Sequence, residues 1–176
     1  LTCGSPVRAS EATDVLRTKL AKVLANKSDA AELGGVIDSI VVYCTLASKC
    51  LEDLPGLKGS GREEFKRLLV DLTRASLLWQ LLRLRGAEVK LGVDMRDGNS
   101  YVAKSVVEVN VESVDVDWVV VKEGGDWWLA DVVTDAASMV RTWRRSFKST
   151  YDKGGWNAFV RKMRTVAERA EATHGG

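Results

Sequence analysis

Helical periods, then strand periods, then helical periods again predict an α+β fold: a curved four-stranded antiparallel sheet wrapped by N-terminal and C-terminal helices, whose apolar faces either close into a solid core or enclose an apolar cavity, a choice the pattern leaves open. Three observations carry that expectation. Apolar residues recur at helical spacing up to Gly86, alternate singly from Val89 to Val133, and return to helical spacing after Asp135. The chain of 176 residues has no long linker, so one domain, 1–176, is expected, with 1–9 and 171–176 as flexible tails.

Ser10 is placed to cap a first helix whose Val15, Leu16, Leu20, Val23 and Leu24 share a face, with Glu11 and Asp14 near the positive end of its dipole. Asp29 and Glu32 form a capping pair for a second helix with Leu33, Val36, Ile37, Ile40, Val41 and Cys44 on its buried stripe. The Pro- and Gly-rich run Leu54 to Gly61 is a loop. Ser60 and Glu63 then read as a capping box for the longest helix, through Phe65, Leu68, Leu69, Leu72, Ala75, Trp79 and Leu82.

After Gly86 the period falls to two. Val89, Leu91, Val93 and Met95 share a face, and Arg96 to Asn99 is a hairpin turn whose Asp-Gly tolerates positive φ. Ser105 to Glu112, Val114 to Val121 and Trp127 to Val133 are the next strands, the last two joined by Lys122 to Asp126. By alternation Trp127 faces inward and Trp128 outward. Asp135 is expected to cap a helix carrying Ala136, Met139, Val140, Trp143 and Phe147, stopped by Gly154-Gly155 before a final helix with Phe159, Met163, Val166 and Ala170.

The composition is that of an ordinary globular protein, 45% hydrophobic and 28% charged, with 26 basic against 24 acidic residues. That balance argues against a nucleic-acid partner, since no basic face interleaved with aromatics emerges. No apolar run reaches the roughly 20 residues of a helical membrane span. Cys44 and Cys50, if on one helix, lie about 9 Å apart along its axis, too far for a disulfide, whereas a bridge from Cys3 to either stays open, as does lipidation of Cys3.

Chemistry is hard to find. The one histidine is His174, in the tail. Neither a Cys-x-x-Cys pair nor a nucleophile elbow nor a phosphate-cradling glycine motif is present, so no catalytic residue and no metal or cofactor is expected. Asp115 and Asp117 share a strand face, where two solvated charges are the ordinary reading. Asp131 shares strand parity with Trp127, Leu129 and Val133; facing inward, its pKa would rise.

The stretch Trp127, Asp131-Val132-Val133, Asp135, Ser138-Met139-Val140, Thr142-Trp143-Arg144, Phe147 and Gly155-Trp156 resembles the C-terminal signature of the MlaC family of periplasmic phospholipid-binding proteins, also called the toluene-tolerance family. Upstream, Val116 to Trp127 and Gly61 to Leu72 are similar to the family's preceding strand, turn and helix, so the likeness runs from about Ile37 to Arg164. The sequence departs from the pattern where Ala136 replaces a usual glycine, Trp143 a tyrosine, and Val41 to Cys50 an aromatic-rich stretch. The resemblance implies a non-enzymatic carrier that shelters a phospholipid, or another apolar membrane lipid such as a hopanoid or sterol, and shuttles it between membranes. It also implies two partners, an inner-membrane MCE-domain ABC transporter complex and an outer-membrane lipoprotein complex.

On that reading the alternation nominates Leu91, Val93, Val107, Val109, Trp118, Val120, Leu129 and Val133 as lining the cavity, with Val140 and Trp143 from the following helix. Arg141, Arg144, Arg145 and Lys148 fall at helical spacing and form a basic ridge suited to docking a partner, extended by Arg161, Lys162 and Arg164 if the last two helices lie side by side. The rival readings are a small cone-shaped α+β enzyme using Asp131 and a protein-interaction adaptor with a solid core.

Overall fold

The computed structural model of the chain describes residues 11–25, 30–52, 54, 59–83, 88–97, 100–109 and 112–172. Four helices come first: α1 (Glu11–Ala25), α2 (Ala30–Ile40), α3 (Tyr43–Leu51) and α4 (Ser60–Arg83). The strands β1 (Glu88–Asp97), β2 (Ser100–Val109), β3 (Glu112–Glu123), β4 (Asp126–Thr134) and the two-residue β5 (Ala137–Ser138) form an open antiparallel meander in chain order. The long α5 (Met139–Ala172) closes the chain. The α+β class and element order are those expected, with β5 as an addition too short to carry a hydrophobic period.

Local chemistry explains the boundaries. Gly124 and Gly125, at φ 62° and 93°, make the two-residue turn that sets Glu123 opposite Asp126, a backbone twist that suits right-handed strands. Gly155, at φ 63°, breaks α5 into two arms, where the Gly-Gly pair was expected to stop a helix. The arms fold back on each other: Lys162 Nζ donates to Ser146 Oγ at 3.0 Å and to Thr150 Oγ1 at 2.9 Å. α4 packs across both arms through Phe65, whose ring stacks on Phe159 at 5.8 Å and meets Phe147 edge-on at 6.0 Å.

Several expected boundaries are corrected. The second helix does not run to Cys44. It ends at Ile40, where Val41 forms a parallel bridge with Leu129 and Val42 N donates to Leu129 O at 3.3 Å, and α3 restarts at Tyr43. Pairing with a strand edge overrides helical propensity there. β2 begins five residues before the alternation suggested, at Ser100, and ends at Val109, while Glu112 belongs to β3. Glu63's carboxylate accepts from Lys66 at 3.0 Å. The proposed caps Ser10 and Asp29, together with Cys3 and His174, lie outside the described residues. α5 extends to Ala172, into the segment expected to be a tail.

Two irregularities change strand parity. In β1 the register shifts between Leu91 and Asp94, so Met95 pairs with Val102 and stands 52% exposed on the outer face, opposite to the alternation reading. In β4 the register shifts opposite Val119 and Val120: Val120 pairs with Leu129 but Val119 with Asp131, leaving Ala130 extra. Val132 therefore joins Leu129 on the inner face, and Val133 turns outward.

Candidate functional site

The inner face of the sheet is built from Ala103, Ser105 and Val107 of β2, Val116, Trp118 and Val120 of β3, and Leu129 and Val132 of β4, all buried. Ser105 is the polar member, and its hydroxyl is fully used. It accepts from Trp118 Nε1 at 2.8 Å and donates to Val116 O at 2.9 Å, so neither group demands water. Opposite stand Leu16 and Leu20 of α1, Leu33 and Ile37 of α2, Leu46 and Cys50 of α3, and Val140 of α5, in one continuous apolar core.

The nominated lining residues divide clearly. Val107, Trp118, Val120, Leu129 and Val140 lie in this interior, each 5% exposed or less, and in this state they are in close packing rather than facing open space. Leu91 is half-buried at the edge of the same face. Val133 is corrected: after the β4 bulge it lies on the outer face, beside Lys104, Asp115 and Asp117 along an open groove of about 430 Å³. Trp143 stacks near Phe147, at 6.4 Å, and lines a separate hollow of about 100 Å³ between α4 and the two arms of α5. The side chains of Val93 and Val109 lie outside the described residues, though their backbones run in β1 and β2.

Asp131 has a structural post. Its Oδ1 accepts from the backbone of Val132 at 2.9 Å and of Val140 at 3.0 Å, and its Oδ2 accepts from the Ser138 hydroxyl at 2.5 Å. Ser138 Oγ in turn accepts from Arg141 N at 2.9 Å. Asp131 and Ser138 together cap α5, the task expected of Asp135. Asp135 and Ala136 instead form the turn into β5, at φ 49° and 61°. With its oxygens engaged in holding a strand to a helix, Asp131 is poorly placed to serve as an acid or base. Burial, and then the Asp131 charge, push the neighbouring Cys50 thiol up to about 12. Cys44 is an exposed free thiol on the same helix. Among the described residues no group of three or more His, Cys, Asp or Glu is arranged to hold a metal.

The basic ridge is only partly available. Arg144 is bound to Glu52 at 2.8 Å and Lys148 to Asp152 at 2.7 Å, whereas Arg141 and Arg145 are exposed. Arg164 reaches Glu64 at 2.8 Å.

At the far end of β4 a polar rim borders the apolar interior. Trp127 faces inward, as expected, and meets Tyr101 edge-on at 5.2 Å. The ammonium of Lys122 sits 5.2 Å from the centre of the Trp127 ring and bonds Glu11 Oε2 at 3.1 Å. The hydrogen bond from Lys122, and next the indole of Trp127, hold the Glu11 carboxyl below its ordinary range. Lys19 Nζ donates to Ser39 O at 2.9 Å and Trp127 O at 3.4 Å, with Trp128 below it at 5.1 Å. Composition was blind to this cluster. The Gly-Gly turn that sets Lys122 across from Trp127 was readable, but the return of Glu11 from 111 residues away was not.

The architecture is an open antiparallel meander with one face roofed by helices and an apolar core between the two layers. The profile of the family described as "MlaC protein" matches residues 51–165, well over half of the chain, and the chain belongs to that family. Among solved structures the fold is similar to that of a phospholipid-binding protein from Ralstonia solanacearum, determined in complex with a phospholipid. The TM-score is 0.77 at 15% identity, over 92% of this chain and 99% of that one. No curated protein matches the chain.

Proposed function

We propose that this protein is a non-enzymatic lipid carrier of the periplasm, which shelters the acyl chains of a phospholipid between sheet and helices and moves it between membranes. The observation that carries the reading is the inner face itself: from Val107 to Val132 its one polar side chain is consumed by Trp118, leaving a surface suited to hydrocarbon. Membership of the MlaC family and the lipid-bound relative of the same fold support it. Among the described residues no helix is long and apolar enough to cross a membrane.

Because Val107, Trp118, Val120 and Leu129 are packed shut, a tail enters by parting the layers. The helices approach the sheet most closely along β4 and β5, with α1 also reaching β1, so β4 is the tied side and β2 and β3 are where the layers can separate. A 16-carbon tail gains on the order of 12 kcal/mol on leaving water, enough to offset exchanging side-chain packing for lipid packing. On this reading Arg141 and Arg145 face the membrane complexes that deliver and receive the cargo.

The test is uptake. Protein incubated with vesicles of fluorescent phospholipid and then separated by size should carry about one lipid per chain, consistent with a single interior of this size. A protein fraction free of lipid after incubation, and after extraction from cells, would refute the carrier reading.

A further inference from the structure

Trp127 Nε1 is shielded from solvent and makes no well-formed hydrogen bond, the only such side-chain polar atom among the described residues, and interacts only loosely with the Glu11 carboxylate. An indole N–H is a donor that buried sites normally satisfy, and one left this loosely paired calls for an explanation. Three features around it point one way. Lys122 places an ammonium 5.2 Å from the ring centre, and Lys19 adds a second cation on the neighbouring Trp128. Glu11 supplies an anion at exactly this place, its carboxylate 3.1 Å from Lys122 Nζ, yet its side chain is 70% exposed and so is released to water at little cost. Tyr101 and Trp127 pack against the apolar core, so whatever binds here lies at the rim of the interior that receives the tails.

We infer that Lys122 and Trp127 form the seat of the phosphodiester group of a bound phospholipid, and that Glu11 fills this seat when the protein is empty. The inference rests on the carrier reading and deepens it. A phosphodiester carries one negative charge, as a carboxylate does, so the exchange leaves the local charge balance unchanged. The phosphodiester's two non-bridging oxygens match the carboxylate's in number but diverge from a tetrahedral centre, so one can accept from the indole N–H while the other accepts from the ammonium. Aromatic rings with a polar edge suit this position, where one side is oily and the other wet.

The test uses the full chain and two lipids with identical acyl chains, phosphatidylglycerol and diacylglycerol, offered together in vesicles, with native mass spectrometry reading the loaded ratio. The wild type should favour phosphatidylglycerol by about tenfold, the scale of one charge-assisted hydrogen bond. Trp127→Phe, which keeps an aromatic ring but removes the N–H with the rest of the five-membered ring, and Lys122→Gln should each bring the ratio toward one, while Glu11→Gln should raise it several-fold. A ratio unmoved by all three variants while loading persists overturns the seat and leaves the carrier reading standing; no loading of either lipid by the wild type defeats the carrier reading itself. Variants that lose both lipids equally, with the ratio kept, make the cluster a structural element and overturn the seat. Lipid-free protein gives the last arm: if inorganic phosphate alone shifts the indole emission in the wild type and not in Lys122→Gln, the site serves free phosphate and the headgroup assignment is overturned.

Discussion

The two ends of β4 treat their polar groups in opposite ways. At Asp131 both carboxylate oxygens are engaged by Val132, Val140 and Ser138, whereas at Trp127, on the same strand, an enclosed indole N–H makes no well-formed hydrogen bond. The satisfied end ties the sheet to α5 and stands beside Cys50 of α3; the unsatisfied end borders α1 and opens to water through Glu11 and Lys122. Where every donor and acceptor is used a structure resists change, and where one is left over a ligand has something to take. On the carrier reading both are needed, firm ties along β4 and a place at its rim where a ligand gains a partner.

The comparison breaks first at Asp131. Asp131→Ala strands three donors, two of them backbone amides, and should cost about 3 kcal/mol, lowering Tm by roughly 10 °C in a thermal melt followed by circular dichroism. An unchanged Tm would mean that the latch is ornamental. The same variant should expose Cys50. In the wild type, peptide mapping after iodoacetamide at pH 8 should show Cys44 modified and Cys50 protected, because the thiol is buried and its pKa is pushed up to about 12. Loss of the latch should speed labelling of Cys50 about a hundredfold, if local opening there scales with the lost stability.

Smaller changes sharpen the picture. Ala136 occupies a left-handed backbone at φ 61°, so Ala136→Gly should stabilise by about 1 kcal/mol, read as a higher urea midpoint. Ser138→Ala removes one cap and should cost about 1 kcal/mol. At the other end Trp127→Phe should cost no more than about 1 kcal/mol, since it trims a partly buried indole whose N–H makes no well-formed hydrogen bond. A loss as large as that of Asp131→Ala would erase the contrast between the two ends.

Most of the architecture was legible in residue periodicity. The helices with strong apolar stripes, the four long strands and the Gly-Gly break in α5 all follow from it, because one buried face per element leaves a regular trace. What periodicity missed are places where one residue departs from regular geometry. The β1 and β4 bulges each insert a residue and reverse the parity beyond, which is why Met95 and Val133 lie outside rather than in. The split at Val41 and Val42 depends on a strand edge distant in sequence, invisible to a local window. Asp135 was a sensible cap by residue type, but two positive φ angles moved the helix start downstream, to Ser138 and Asp131. Five of the ten nominated lining residues, Val107, Trp118, Val120, Leu129 and Val140, do share the buried interior, and the basic ridge does lie on α5; neither placement by itself tells what binds there.

The claim that hydrocarbon lies between sheet and helices is tested most directly at Trp118, which is 4% exposed at the middle of the inner face. Phospholipid brominated on its acyl chains quenches indoles it touches. Loading the protein with it should quench the emission component that is missing in Trp118→Phe, and loading with the unbrominated lipid should leave that component bright. Bound brominated lipid that leaves the Trp118 component untouched would place the tails elsewhere and contradict the account.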